Sequence, residues 1–134
     1  MNAALERYAP LAGRILLSQI FLLSGLMKVF GWSGTAAYMT ARGMPAVPLF
    51  LAGAVVIEIG GGLSVLLGYR ARLGALALIV FTVPTLFVFH NFWSYPPAEQ
   101  QVQMVMFLKN LALIGGLLMV AAFGAGAYSL DRNK

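Results

Sequence analysis

The chain has 134 residues, 60% of them hydrophobic and 10% charged, with a mean hydropathy of +0.85. A soluble domain carries about 45–50% apolar and about 25% charged residues, so this composition excludes an ordinary water-soluble globule and indicates one membrane-embedded unit. The absence of cysteine excludes disulfides, thiolate metal sites and intrinsic thiol redox chemistry, and the nine Lys and Arg are spread singly, as topology signals are, not clustered as in a nucleic-acid-binding patch.

Four apolar segments are each close to the roughly 20 residues that cross a bilayer core. The first covers about residues 9–30. Arg14 interrupts its early part and no small-x-small cleavage site follows, which reads as a retained helix and not a signal peptide. Arg14, Ser18, Phe21, Gly25 and Lys28 recur at spacings of four and three and share one helical face. Lys28 reads equally as a cation snorkelling to the interface and as one held within the bundle. Arg14 lies roughly 7–8 Å inside the edge and calls for a partner.

A Gly, Trp and Tyr-rich loop (Gly31–Pro45) leads to the second segment, about residues 46–68. It carries Glu58 near the midplane, followed by Gly60, Gly61 and Gly62. A lone acid in lipid is costly unless it faces a partner or a water-filled cavity, and the glycines let another helix approach closely. After a short turn at Tyr69 and Arg70, the third segment covers about residues 71–90. Pro84 within it frees a carbonyl near Val80 and predicts a kink. His90, the only histidine, closes this segment as an interfacial or capping residue, and it is also the one side chain that titrates near neutrality.

A loop, Asn91–Gln101, precedes the fourth segment, about residues 102–123. Lys109 lies roughly 20 Å from its cytoplasmic end, a few Å beyond the level of Glu58. Asn110 adjoins it, and Ala112 and Gly116 continue its face as a close-packing surface.

Short connections predict an all-α fold, a membrane-embedded antiparallel four-helix bundle forming a single domain. Arg7, Arg70, Arg72, Arg132 and Lys134 fall on one side, with Arg42 and Lys28 opposite, so both termini are expected to be cytoplasmic. Trp32, Tyr38, Phe92, Trp93 and Tyr95 then form the outer aromatic belt.

The residues exclude several chemistries. One His, no Cys and no closely spaced carboxylates make no metal centre. Met104 and Met106 read as apolar filler. There is no serine triad with a nucleophile elbow, and no phosphate loop in strand–helix context. What remains is a set of ionic side chains on three helices: Arg14, Glu58 and Lys109. Two cations for one acid leave room for an anionic or electron-rich ligand, and a structural ion pair is the equal alternative. In the ligand reading Glu58 and Lys109 anchor or protonate polar ligand atoms and Arg14 balances Glu58. Asn110 adds a donor, and His90 with Trp93 lines the mouth.

The stretches GRILLSQIFLLSGLMKVFGW, EIGGGLSVLLGYRARLGAL, HNFW, FLKNLALIGGLLMV and GAGAYSLD, in that order and spacing, resemble the DoxX family of small four-helix bacterial inner-membrane proteins. The tail lacks the Pro expected after its first Gly. The resemblance implies a multi-pass protein of the bacterial inner membrane, with family-typical polar positions at Arg14, Lys28, Glu58, His90, Lys109 and Asn110. Some members are subunits of quinone-reducing sulfur-oxidation enzymes or belong to membrane oxidoreductase complexes. The expected role is therefore a redox-associated membrane protein that binds a quinone-like or small hydrophobic ligand, with no covalent cofactor and no catalytic residue assigned. One alternative is a non-catalytic subunit or assembly partner that docks a redox protein. Another is a small transporter, for which four helices need a homo-oligomer.

Overall fold

A computed structural model describes residues 2–131, and among them there are five α-helices, one 3-10 turn and no strand. The helices are α1 (Ala3–Phe30), α2 (Trp32–Ala41), α3 (Val47–Leu67), α4 (Ala71–Phe89) and α5 (Pro97–Phe123), with the 3-10 turn at Phe92–Ser94. By length and composition four of these elements can cross a membrane: α1, α3, α4 together with the turn that follows it, and α5. Arg132 and Lys134, which entered the orientation argument, lie outside the described residues.

Two spans are longer than their apolar segments. α1 begins at Ala3 because the Asn2 side chain accepts the Ala4 N–H at 2.8 Å, and Glu6 stands in the first turn where the helix dipole favours an acid. α5 begins at Pro97, whose missing N–H costs nothing at a first-turn position, with Glu99 in the same turn. Polar helix ends are invisible to a hydropathy window, which registered only the apolar middle.

The expected loop at residues 31–45 contains α2. It turns Met39 into a small core with Val47 and Leu51, and it stacks Tyr38 on Phe89 at 5.5 Å. α2 thus covers the N-terminal end of α3, beyond the point where α1 ends.

α3 lies between α1 and α4, and α4 lies between α3 and α5. α1 and α5 meet only over a short stretch near Leu17 and Gly116. The shared core is Phe21, Val65, Ala75, Leu78 and Leu117. The triple glycine divides its labour. A Cβ on Gly61 would stand 2.7 Å from Leu78 of α4, and one on Gly62 would stand 2.9 Å from Leu22 of α1. Gly60 has nothing within 4 Å of that position, so packing accounts for two of the three glycines.

α3 ends in a Schellman motif. The Tyr69 N–H donates to the Ser64 carbonyl and the Gly68 N–H to the Val65 carbonyl, with Gly68 left-handed at φ 66°. Arg70 then takes φ 49°, an uncommon backbone for a residue with a Cβ. The tail after α5 folds back onto this turn. The Leu130 and Asp131 N–H groups donate to the Leu67 and Gly68 carbonyls at 3.1 and 2.7 Å. The Asp131 carboxylate in return accepts the Arg70 and Ala71 N–H groups at 2.7 and 2.8 Å. An acid from the far end of the chain therefore caps α4, whose own cap position lacks a capping side chain.

Candidate functional site

The face of α1 predicted from spacing is the buried one: Arg14, Ser18, Phe21 and Gly25 are all buried. Gly25 leaves the space in which Glu58 and Ile59 of α3 come up against α1. One turn further, Lys28 reaches across, and its Nζ stands 2.7 Å from Glu58 Oε1. The Glu58 side chain is 3% exposed and that of Lys28 23%. Ser24, one turn back, accepts a hydrogen bond from Lys28 at 2.8 Å. The approach to Glu58 lacks the directionality of a hydrogen bond, so Glu58 Oε1 is ion-paired but accepts no aligned donor. Ionic groups from two separate spans do meet, and the cation is Lys28, which spacing alone left divided between the interface and the bundle.

Arg14 does not balance Glu58. It is 2% exposed and donates to the Leu66 carbonyl at 2.8 Å, the Ala127 carbonyl at 3.0 Å and the Tyr128 carbonyl at 2.7 Å. Leu66 belongs to the last turn of α3, where carbonyls lack helical partners and a cation complements the helix dipole. Arg14 therefore ties α1 to the end of α3 and to the tail, and its Nε keeps no partner among the described residues. The tail is the partner that spacing within α1 could not reveal.

Lys109 is exposed on α5 and makes no ion pair or hydrogen bond to a described residue. Asn110 donates to the Met106 carbonyl of its own helix at 2.7 Å. Thus Arg14, Glu58 and Lys109 do not form one constellation.

His90 closes α4, and its Nδ1 stands 2.9 Å from Gln103 Oε1, linking α4 to α5. Trp93 packs edge-on against Phe92 and Phe107, with Phe87 alongside. Sequence reasoning missed the group beside them. Arg42 donates to the Val88 carbonyl and to Asn91 Oδ1 at 3.1 and 2.7 Å, and lies 4.6 Å from the Tyr95 ring. Tyr95 donates to the Phe89 carbonyl at 2.7 Å. Partial burial, reinforced by Tyr95, pushes the neighbouring Tyr38 phenol up to about 12 and keeps it a neutral donor. A lone Arg in a loop poor in basic residues, four positions after a Tyr, was the available signal.

Among the described residues no group of three or more His, Cys, Asp or Glu could hold a metal ion. The arrangement offers a buried carboxylate–ammonium pair, a half-buried histidine with an aromatic wall, and an exposed cation within a span.

Comparison with known proteins gives two family models. DoxX matches residues 9–91, and the SURF4 family matches residues 51–134. The chain is 41% identical to the inner membrane protein YqjF of Escherichia coli, over 96% of this chain and 93% of that one. It is 34% identical to the inner membrane protein YphA of the same organism, over 92% and 88%. It is 29% identical to a Surfeit locus protein 4 homolog of Drosophila melanogaster, over 96% of this chain but 42% of that one. No solved structure matches the chain significantly. With four spans and relatives of this kind, the protein is a multi-pass inner-membrane protein. The matched residues take in the Arg14 face of α1, Glu58 with its glycines and His90, and the chain belongs to the DoxX family.

Proposed function

We propose that the protein is a non-catalytic membrane subunit that assembles with another membrane protein through the α1–α5 seam, pairing Lys109 with a carboxylate on a helix of that partner. The bundle in this reading is antiparallel with both termini cytoplasmic. The contacts of Arg14 with Leu66, Leu22 with Gly62 and Gly25 with Ile59 support that sense for α1 and α3.

The observation that carries the proposal is the exposure of Lys109 inside a span without a partner among the described residues. Counted from Val102, where the apolar stretch of α5 begins, it lies roughly 10 Å inside the nearer edge, deeper than the level at which Arg14 calls for a partner. An uncompensated cation costs up to about 2.5–3.5 kcal/mol at the centre of the bilayer. α5 is also the least covered span, with only Leu117 buried, whereas α1 buries four residues and α3 and α4 six each. Lys109 is two turns from Gly116 on one face, beyond the point where α1 and α5 touch.

A second copy does not supply the acid. Of the four acids, Glu58 is taken by Lys28 and Asp131 caps α4. Glu6 and Glu99 stand in first turns, Glu99 about 15 Å from Lys109 along α5. The resemblance to subunits of oxidoreductase complexes makes such an enzyme the partner class to examine first. Site-specific photocross-linkers at Leu108 and Ala112, used in native membranes, test the reading. The expected product is a heteromeric adduct that disappears in Lys109→Glu and returns when the partner's acid is changed to Lys. Cross-links to a second copy only, or adducts indifferent to Lys109→Glu, refute it.

A second reading, a quinone-like or small hydrophobic ligand in the outer half, is favoured by Glu58 Oε1, a buried acceptor without an aligned donor. Extraction of the purified protein followed by mass spectrometry would find such a ligand, depleted in Glu58→Gln. Its absence from wild-type protein rules this reading out.

A further inference from the structure

We infer that the protein holds one anionic phospholipid, its phosphate between Arg70 and Arg72 and an acyl chain in the groove between α3 and α4. The site is independent of the Lys109 seam. Three observations converge on it.

First, a cavity of about 500 Å³ lies where the α3–α4 turn, the start of α4 and the end of α5 come together, lined by Arg70, Arg72, Leu73, Gly124, Ala125 and Asp131. This is the level at which α3 and α5 both end, and hence the depth of lipid headgroups. The Arg72 Nη1 donates to the Ala122 carbonyl at 2.7 Å, which orients the guanidinium, while its other nitrogens donate to no described residue. The Arg70 side chain lies 5.8 Å from the Tyr69 ring and donates no hydrogen bond to a described residue. Two planar guanidinium groups facing one cavity match a phosphodiester better than two point charges would. Asp131 also lines the cavity, its oxygens accepting the backbone N–H groups of the α4 terminus, and against its one negative charge the two guanidinium groups leave the site net positive.

Second, a groove of about 320 Å³ runs from this cavity into the span, sharing Arg70 and Leu73 with it and floored by Gly60, Gly61, Gly74 and Ala77. At Gly60 it is open because no side chain stands there, and Ala77 adds only a methyl, whereas the bare sides of Gly61 and Gly74 are taken up by Leu78 and Ser64. Gly60 gains its explanation here. It is the glycine of the triple that no protein atom approaches, and it leaves room for a chain that is not part of the protein.

Third, the groove is apolar on its walls, with Val56 and Leu73 both largely exposed, while Tyr69 and Arg70 stand at its end nearest the α3–α4 turn. A charged head and an apolar tail are thus accommodated side by side, which inorganic phosphate would not exploit. Basic pockets between spans at a membrane surface are a recognised form of anionic headgroup site.

The test is lipid retention by the full-length protein in detergent, read by native mass spectrometry with phosphatidylglycerol, phosphatidylcholine or inorganic phosphate added. Phosphatidylglycerol is expected to be held at least ten-fold better than phosphatidylcholine. Arg70→Gln should lower that affinity roughly five-fold, and Arg70→Gln with Arg72→Gln roughly 25-fold. Gly60→Leu fills the groove without meeting a protein atom at its Cβ, and should weaken phosphatidylglycerol binding while leaving thermal unfolding in lipid-free detergent unchanged. Because Arg72 also caps α5, Arg70→Gln alone is the variant on which the headgroup claim stands. Equal retention of the two lipids, full retention by Arg70→Gln or by Gly60→Leu, or competition by millimolar inorganic phosphate as effective as by the lipid would each overturn the inference.

Discussion

The buried ion pair illustrates how the energetics of single residues work inside this protein. Removing one partner of a buried pair strands a charge and costs about 3–5 kcal/mol, whereas replacing both with apolar groups is often nearly neutral. Lys28→Met is therefore expected to lower the unfolding free energy in detergent by about 3 kcal/mol, less if Glu58 takes up a proton. Lys28→Met combined with Glu58→Leu should recover most of that loss. A double variant as unstable as the sum of the single ones would show that Lys28 and Glu58 are not energetically coupled. The partner of Glu58 was only partly legible. The demand for a cation followed from the cost of an acid in lipid, but spacing offered Arg14 and Lys109 for it, and finding Lys28 needed the close approach that Gly25 permits.

At the level of helices, the glycines of α3 predict opposite outcomes from identical substitutions. A Cβ at Gly61 would press on Leu78, which is fully buried and has no space to retreat into. Gly61→Ala should cost about 1–3 kcal/mol of stability, as overpacked cores do. Gly60→Ala meets nothing and should be neutral or slightly stabilising, because alanine loses less backbone entropy than glycine in a helix. Thermal unfolding of the two variants side by side checks this, and equal destabilisation would contradict the packing described for α3. α2 marks where element reading fell short. Its ten residues have no capping side chain, no acid at the start and no apolar stripe of helical period, so it is held by Met39 and Tyr38 packing on other helices, a tertiary cause.

For the molecule as a whole, the tail is a fastening. Arg14 grips it from α1 through two carbonyls, and Asp131 returns a cap to α4. Arg14→Met should cost about 1.5–3 kcal/mol, because three part-buried carbonyls lose a charged donor together. Truncation after Ala125 removes the same bonds from the other side. The two changes together are therefore expected to cost clearly less than their sum, a coupling that unfolding of the four proteins in one cycle would measure. Strict additivity would mean that Arg14 acts on α3 alone.

The number of spans, their class and their approximate limits were determined by the sequence, because the cost of unpaired backbone groups in lipid leaves long apolar stretches only the helix. So was the buried face of α1, since helical spacing and side-chain polarity are local properties. The identity of the ion pair, the return of the tail to Arg14, the acid that caps α4 and the isolation of Lys109 were decided by tertiary structure. Each depends on which distant backbone or side chain arrives at a given depth, and a one-dimensional pattern carries polarity and period but not that distance.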